Sequence, residues 1–214
     1  MKMVYPQLPK LLHQSNDLSG VIERYKEEET IDEEAFKDQT VTGSTKHLLD
    51  FQSCSFNHCT FSACNFLKAT FCDVEFKNCD LSNIKLLEGG FRRVAFTDCK
   101  LMGANLTGSR LNEVTFDNCS APYLFLSTIK MRNVHFVKND FRESAFDNCH
   151  LEQVSFDDCN LTEADFSQTS LRKIDLSSSV ISGIRLNIND LHGAIVNSLQ
   201  AVELSKMLGV VVKD

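Results

Sequence analysis

The feature that most constrains the fold is an apolar side chain at every fifth residue. From Phe51 to Leu191, 28 of the 29 positions reached in steps of five are large and apolar, and the exception is Ala121. An α-helix would place apolar residues three or four apart, and a half-buried strand would place them two apart. A period of five fits neither template. It therefore predicts a coiled chain that turns a corner after every five residues.

A second period of twenty lies on top of the first. The segment VEFKNCDL at 74–81 returns as VAFTDCKL at 94–101 and as VSFDDCNL at 154–161. Four steps of five make one coil with four sides, so residues twenty apart should stack in neighbouring coils, about 4.8 Å apart. One inward column is then predicted to contain Phe56, Phe76, Phe96, Phe116, Phe136, Phe156 and Leu176.

A second inward position, two residues before each large one, holds small or β-branched side chains. It takes eight of the nine cysteines, all but Cys72. Ligands strung along a line at strand spacing cannot converge on a zinc ion with bonds of about 2.3 Å, and no CxxC pair exists. Packing as small buried hydrophobes is the favoured interpretation, and no metal site is predicted. Asn139 interrupts this column and requires a hydrogen-bond partner that the sequence does not identify.

Signals of catalysis are missing from the sequence. There is no nucleophile, phosphate-binding or metalloprotease motif, and His58, His135, His150 and His192 fall at outward positions of the repeat. A β-helix filled with side chains leaves no cleft for a substrate. We therefore expect no enzyme activity, no catalytic residue and no cofactor. The first thirty residues and all later segments lack an apolar run typical of export or membrane insertion, which favours a cytoplasmic protein with reduced thiols.

The repeat A(D/N)Lxx resembles the pentapeptide-repeat family over residues 49 to 193, with a weaker echo at Ile31, Phe36 and Val41. This resemblance implies an all-β fold, a right-handed quadrilateral β-helix of about seven coils. The register never slips, so no inserted loop is expected. Three parts are predicted: an N-terminal cap and irregular first coil at 1–48, the β-helix at 49–193, and a C-terminal capping helix with a short dimerisation strand at 194–214.

Charge is segregated by face. The net charge of −7 disfavours direct binding to nucleic acid. The face built on the Phe56, Phe76 and Phe96 column, hereafter the acidic face, is predicted to contact a partner through Glu75, Asp98, Asp117, Asp157, Asp158 and Asp175. The face built on Phe51, Phe71 and Phe91, hereafter the basic face, carries Arg92, Arg93, Arg110, Lys130, Arg132, Arg172 and Lys173. The alternative is that the acids only keep the protein dispersed.

Within the family, this chain is similar to the Qnr and MfpA group. Members of that group are rod-shaped dimers that look like DNA to gyrase and topoisomerase IV. The resemblance implies a DNA-mimicking protein that protects a type II topoisomerase from quinolones or modulates its activity. Several Qnr proteins carry projecting loops that this register does not accommodate, so protection and inhibition both stay open. The alternative is a non-catalytic scaffold or adaptor with an unrelated protein partner.

An aromatic stretch at 120–128 has two interpretations. The register points Pro122, Tyr123 and Phe125 outward beside the small Ala121. These residues either form a kinked corner over which Tyr123 packs, or form a contact patch for a partner.

The repeat ends after Leu191. Asn197 with Gln200 predicts a helix start and Gly209 its end, followed by a short strand at 210–212. This tail looks like the end through which two Qnr-type rods join, which assigns dimerisation to Leu204, Leu208, Val210, Val211 and Val212; a capping helix alone is the alternative. Residues 1–30 are expected to lie over the first coil, with no readable detail.

Overall fold

The computed structural model describes residues 3–27 and 29–213. The chain winds as a right-handed quadrilateral β-helix, and this confirms the predicted fold. The coils pair in parallel with a shift of twenty residues, as in Phe76 with Phe96 and Val94 with Val114. Isolated bridges continue the same shift up to Asp175 with Ile195. No insertion interrupts the register between Ile31 and Ile195.

Regular strands are concentrated on two adjacent faces. Five strands of eight residues each cross the corner between the basic and acidic faces, at residues 70–77, 90–97, 110–117, 130–137 and 150–157. These two faces therefore form one continuous sheet. The elements in chain order are β1 (His13–Ser15), α1 (Leu18–Arg24), β2 (Ile31–Asp32), β3 (Glu34–Lys37), β4 (Thr40–Thr42), β5 (Thr45–His47), β6 (Asp50–Gln52), β7 (Ser55–Asn57), β8 (Thr60–Ser62), β9 (Asn65–Leu67), β10 (Thr70–Lys77), β11 (Gly90–Thr97), β12 (Arg110–Asp117), β13 (Lys130–Val137), β14 (His150–Asp157), a 3₁₀ helix (Ile188–Leu191), α2 (Ser198–Ser205) and a second 3₁₀ helix (Lys206–Leu208).

A corner follows every five residues because one residue in five has positive φ. Asn78, Asn118 and Asn148 all have φ of 53°. A left-handed conformation costs most L-residues roughly 1–2 kcal/mol, and Asn, Asp and Gly tolerate it best. These residue types recur at the corner position, although residues such as Tyr123 (φ 60°) also occupy it.

The interior is filled by stacked rings. In the predicted inward column, the ring centroids of successive phenylalanines lie 4.8 Å apart for Phe56 and Phe76, 5.0 Å for Phe76 and Phe96, and 4.6 Å for Phe96 and Phe116. The neighbouring column stacks Phe51, Phe71 and Phe91 in the same way. Burial of each large side chain contributes roughly 1.5–3 kcal/mol, so these columns are the main stabilising element.

The small inward position has a second role that the repeat pattern does not indicate. Where this position holds a polar side chain between residues 54 and 179, that side chain donates a hydrogen bond to the carbonyl 23 residues earlier. Examples are Cys79 Sγ to Phe56 O at 3.3 Å and Ser179 Oγ to Phe156 O at 3.0 Å. Asn139 Nδ2 donates to Phe116 O at 2.9 Å, and its Oδ1 accepts from the Cys119 N–H at 2.8 Å. The partners of Asn139 are thus two backbone groups of the preceding coil.

The β-helix begins earlier than residue 49. Ile31 pairs with Phe51, Phe36 with Phe56 and Val41 with Phe61, all in the common register. Residues 31–48 therefore form a coil with the same geometry as the later ones. The predicted boundary between residues 48 and 49 is not a break in the β-helix.

A short helix closes the N-terminal end. Asp17 caps α1 by accepting a hydrogen bond from the Gly20 N–H, and Leu18 and Ile22 are fully buried against the first coil. Ahead of this helix, β1 adds a parallel strand to β3. The helix therefore covers apolar side chains that an open coil would expose.

The C-terminal end is closed by the predicted helix. Asn197 and Gln200 form the predicted capping box, and Gly209 ends the segment with φ of 75°. Gln200 is buried, and its Nε2 donates to the carbonyls of Leu176 and Ser179 at 2.8 and 2.7 Å. Residues 210–212 have no regular secondary structure, so the predicted short strand does not form in the single chain. Asp214 lies outside the described residues.

Candidate functional site

The six predicted contact acids lie on the acidic face. Glu75 and Asp175 share one outward column, Asp117 and Asp157 a second, and Asp98 and Asp158 a third, because each column repeats every twenty residues. The carboxyl-bearing residues at the far end of the face are exposed, whereas Glu75 and Asp117 are half-buried. The acids are therefore dispersed over the face and do not form one ladder.

These acids keep their charge uncompensated. None of the six takes part in a salt bridge among the described residues. Their hydrogen-bond partners are neutral: Ser55 Oγ donates to Glu75 at 2.7 Å, and Asn118 Nδ2 donates to Asp98 at 2.6 Å. On the adjacent face, by contrast, Arg142 holds Asp140 through two hydrogen bonds and lowers the pKa of that carboxyl. The six carboxylates of the acidic face therefore present negative charge that no ion pair among the described residues offsets.

Three outward residues in the middle of this face are buried. Ala95, Thr115 and His135 are 8, 3 and 2% exposed. His135 occupies the outward position of the repeat that the sequence predicts, yet its side chain is buried. His135 Nδ1 lies 3.2 Å from Ser155 Oγ in the next coil.

A largely buried ion pair sits at the corner between the basic and acidic faces. Arg93 forms a bidentate pair with Asp73, with Nε 2.6 Å from Oδ1, and the Gln7 N–H donates to the same carboxyl oxygen at 2.8 Å. Burial opposes ionisation of Asp73, but these hydrogen bonds outweigh it and hold the pKa of the carboxyl below its usual range. This pair removes Arg93 from the cations that the basic face presents.

The remaining cations of the basic face are mostly unpaired. Arg132 pairs with Glu152 at 3.6 Å. Arg110 and Lys130 occupy successive rungs and have no salt bridge among the described residues. Arg92 donates to the Cys72 sulfur at 3.2 Å.

The aromatic stretch projects outward from a corner on the side away from the acidic face. Tyr123 and Phe125 are exposed, and Pro122 is half-buried. Tyr123 lies at the corner itself and its hydroxyl donates to Glu143 at 3.0 Å. Ala121 is fully buried and interrupts neither register nor pairing.

The C-terminal end carries the largest exposed apolar surface of the described chain. Val210, Val211 and Val212 are exposed, Leu208 is exposed, and Leu204 is half-buried. A groove of about 800 Å³ opens beside them, lined by Ile188, Leu191, His192, Val196, Ala201, Leu204 and Leu208. The predicted dimerisation residues thus lie together at one end.

Eight of the nine thiols are buried, and Cys72 is half-buried. Burial raises the pKa of the Cys149 thiol to about 12 and that of Cys159 to about 11. Across residues 3–27 and 29–213, no group of three or more His, Cys, Asp or Glu side chains is placed to hold a metal ion. Raised pKa values disfavour the thiolate that nucleophilic or metal-binding chemistry requires.

The protein is a β-solenoid with four faces and two capped ends. The sequence matches the family model described as the pentapeptide repeat region over residues 49–126 and 125–195, so the chain belongs to the pentapeptide repeat family. No curated protein matches the sequence.

Several solved structures match this chain to different degrees. A trypsin-treated variant of QnrB1, a plasmid-mediated fluoroquinolone resistance protein, is 19% identical, with a TM-score of 0.52, and the match covers 86% of this chain and 99% of that one. HetL from Nostoc sp. strain PCC 7120, involved in heterocyst differentiation regulation, is 16% identical with a TM-score of 0.29, over 79% of this chain and 90% of that one. A thylakoid-lumen protein of Arabidopsis thaliana is 21% identical with a TM-score of 0.36, over 64 and 68% of the two chains. At 19% identity, the likeness to the QnrB1 variant shows a shared fold alone.

Neither helix in the described part of the chain is long and apolar enough to cross a membrane.

Proposed function

We propose that this protein is a non-catalytic cytoplasmic binding protein whose acidic face contacts the DNA-gripping surface of a bacterial type II topoisomerase, DNA gyrase or topoisomerase IV. Binding modulates the enzyme or its response to quinolones. The observation that carries the proposal is the set of six carboxylates on one face of an uninterrupted β-helix, none of them in an ion pair. The shared fold with QnrB1 supports the same reading.

The charge density of the acidic face limits how closely that face can mimic duplex DNA. From Glu75 to Asp175 the face spans five coil spacings of about 4.8 Å, roughly 24 Å, which gives one carboxylate per about 4 Å. Duplex DNA carries one charge per about 1.7 Å. The acidic face therefore presents a weaker field than a duplex. We expect the affinity of this protein for the topoisomerase to fall as the salt concentration rises. The slope of log affinity against log salt concentration should be smaller than for DNA binding to the same surface.

The decisive experiment is a gyrase supercoiling assay with ciprofloxacin and a titration of this protein. Rescue or inhibition should occur with the native chain and should disappear when Asp98, Asp117, Asp157 and Asp158 are changed to Asn. The matched control changes Glu88, Glu113, Glu152 and Glu163 to Gln, which removes the same charge from the other faces. No effect on gyrase or topoisomerase IV, or equal loss in both variants, would reject the proposal.

The active form in this proposal is a homodimer joined through the C-terminal end. Exposed Leu208, Val210, Val211 and Val212 beside an apolar groove form a surface that a second copy would cover. A two-fold dimer would also give residues 210–212 the strand edge that the single chain lacks. Deleting residues 209–214 should halve the mass measured by sedimentation; an unchanged sedimentation coefficient would reject this arrangement.

A second candidate function is a scaffold or adaptor with an unrelated protein partner. The exposed Tyr123 and Phe125 favour it, because they lie away from the acidic face and aromatic residues are enriched at binding hot spots. Changing both to Ser should weaken partner binding with little loss of stability if they form a contact patch. Lost stability with unchanged binding would assign them to the corner.

A further inference from the structure

The burial of Ala95, Thr115 and His135 is abnormal for this fold. Equivalent outward positions on the other three faces are half-buried or exposed in every coil between residues 50 and 190. In the same column of the acidic face, Ser55, Glu75 and Ser155 are half-buried. The middle of this face is therefore shielded from solvent.

The column of residues at the corner between the basic and acidic faces is also shielded from solvent in part of its length. Asp73 is buried and Arg93, Glu113 and Asn133 are half-buried, although Gln153 and Lys173 at the equivalent position are exposed. The Thr115 hydroxyl is buried without a hydrogen-bond partner among the described residues. The covered area thus extends along the rod from the coil of Asp73 and stops before the coil of Gln153.

The N-terminal segment follows this path. It leaves β1 beside the first coil, and Leu8 and Pro9 line a shallow groove together with Ser55 and Asn57 of the second. The Gln7 N–H then reaches Asp73 in the third coil. The four residues from Gln7 to Met3 extend up to about 13 Å at roughly 3.3 Å per residue. Two further coil spacings of about 4.8 Å need less than that, so the coil of Thr115 lies within the reach of Met3.

We propose that residues 3–12, hereafter the N-terminal strap, form a self-bound cover that competes with cationic partners for the acidic face. Glu75 and Asp117, the two half-buried acids of the set, lie on coils along the strap's path, whereas Asp157, Asp158 and Asp175 lie beyond it. The strap carries Lys10 and leaves Tyr5 and Leu11 61 and 86% exposed. A segment with few buried contacts opens at low free-energy cost, so a partner that binds the uncovered face can displace it.

The test uses two variants that release the strap. Gln7→Pro removes the N–H that binds Asp73, and the matched control Gln7→Ala keeps it. Deletion of residues 1–8 removes most of the strap and provides a second route. Each protein is titrated with a fluorescent decalysine peptide at low salt, and each titration is repeated with Asp98, Asp117, Asp157 and Asp158 changed to Asn. The affinity lost through the Asn changes reports binding at the acidic face, independently of gyrase.

Release of the strap should tighten decalysine binding at the acidic face at least threefold in Gln7→Pro and in the deletion variant. Gln7→Ala should bind like the native chain. Hydrogen exchange at residues 94–98 and 114–118 should accelerate in the same two variants. Folded variants that bind decalysine no more tightly than the native chain, or less tightly, would overturn the proposal and make the strap a structural cover or a contact element.

Discussion

The rings of Phe96 and Phe116 stack with centroids 4.6 Å apart and planes inclined by 8°. Both side chains are fully buried, so each ring is part of the packing surface of the next coil. This contact between residues twenty apart is repeated along the rod.

Phe116→Ala should therefore destabilise the protein by about 3–5 kcal/mol, because the neighbouring rings at Phe96 and Phe136 cannot collapse into the cavity without breaking the backbone register. Urea denaturation followed by far-UV circular dichroism measures the loss. Phe125→Ala, at an exposed position, is the control and should cost less than about 1 kcal/mol. A loss below about 1 kcal/mol for Phe116→Ala would contradict the stacking role.

Asn139 should tolerate Ser but not Val. Asn139→Val leaves the Phe116 carbonyl and the Cys119 N–H unpaired and should cost about 2–4 kcal/mol. Asn139→Ser should cost about 1 kcal/mol or less, since Ser179 makes both equivalent bonds in the same column. Equal losses for Ser and Val in the same denaturation experiment would mean that side-chain volume decides at this position.

Removal of the Asp73 charge should destabilise the protein in a pH-dependent way. The pKa of Asp73 is lowered in the folded state, so its contribution is present above the unfolded-state value near 3.8 and is lost as pH falls through the folded-state value. Asp73→Asn, which tolerates the positive φ, should cost about 1–3 kcal/mol at pH 7, and the cost should decrease progressively as pH falls below the unfolded-state value.

The control for that comparison is Asp38→Asn, which also has positive φ but is exposed. It should change the free energy of unfolding by less than about 0.5 kcal/mol at either pH. A pH-independent loss for Asp73→Asn would show that the ion pair with Arg93 does not supply the stability.

Thiol labelling should separate one cysteine from the other eight. Cys72 is half-buried, whereas the remaining eight are buried and the pKa of several, such as Cys149 at about 12, is raised. Ellman's reagent at pH 8 should modify one thiol rapidly in the native protein and all nine in denaturant. Cys72→Ser should abolish the fast phase; a second fast thiol would indicate that the core opens locally.

Gln200→Glu should weaken the C-terminal closure. The change replaces a donor amide by a carboxylate against the carbonyls of Leu176 and Ser179, and should cost about 2–4 kcal/mol at pH 7. The cost should shrink towards pH 4, because a protonated carboxyl can donate one hydrogen bond. Gln14→Glu at an exposed position should be near neutral. A pH-independent loss for Gln200→Glu would argue against those two bonds.

The start and end of the C-terminal helical segment could be predicted from the sequence, because helix capping depends on residues close together in the chain. Asn197 and Gln200 are three positions apart in the chain, and the positive φ of Gly209 depends on that residue's own backbone. The burial of the Gln200 side chain could not be predicted from the sequence, since it depends on the carbonyls of Leu176 and Ser179 in the last coil.

The five-residue period by itself determined the coil, the inward columns and the face of every charged residue, because an unbroken register converts chain position directly into position in space. Tertiary structure alone decided which outward residues meet solvent. The N-terminal strap has no repeat to read, and its path over Asp73 depends on contacts between residues 66 positions apart. His135 is buried at an outward position of the repeat, and the periodic pattern does not indicate that burial.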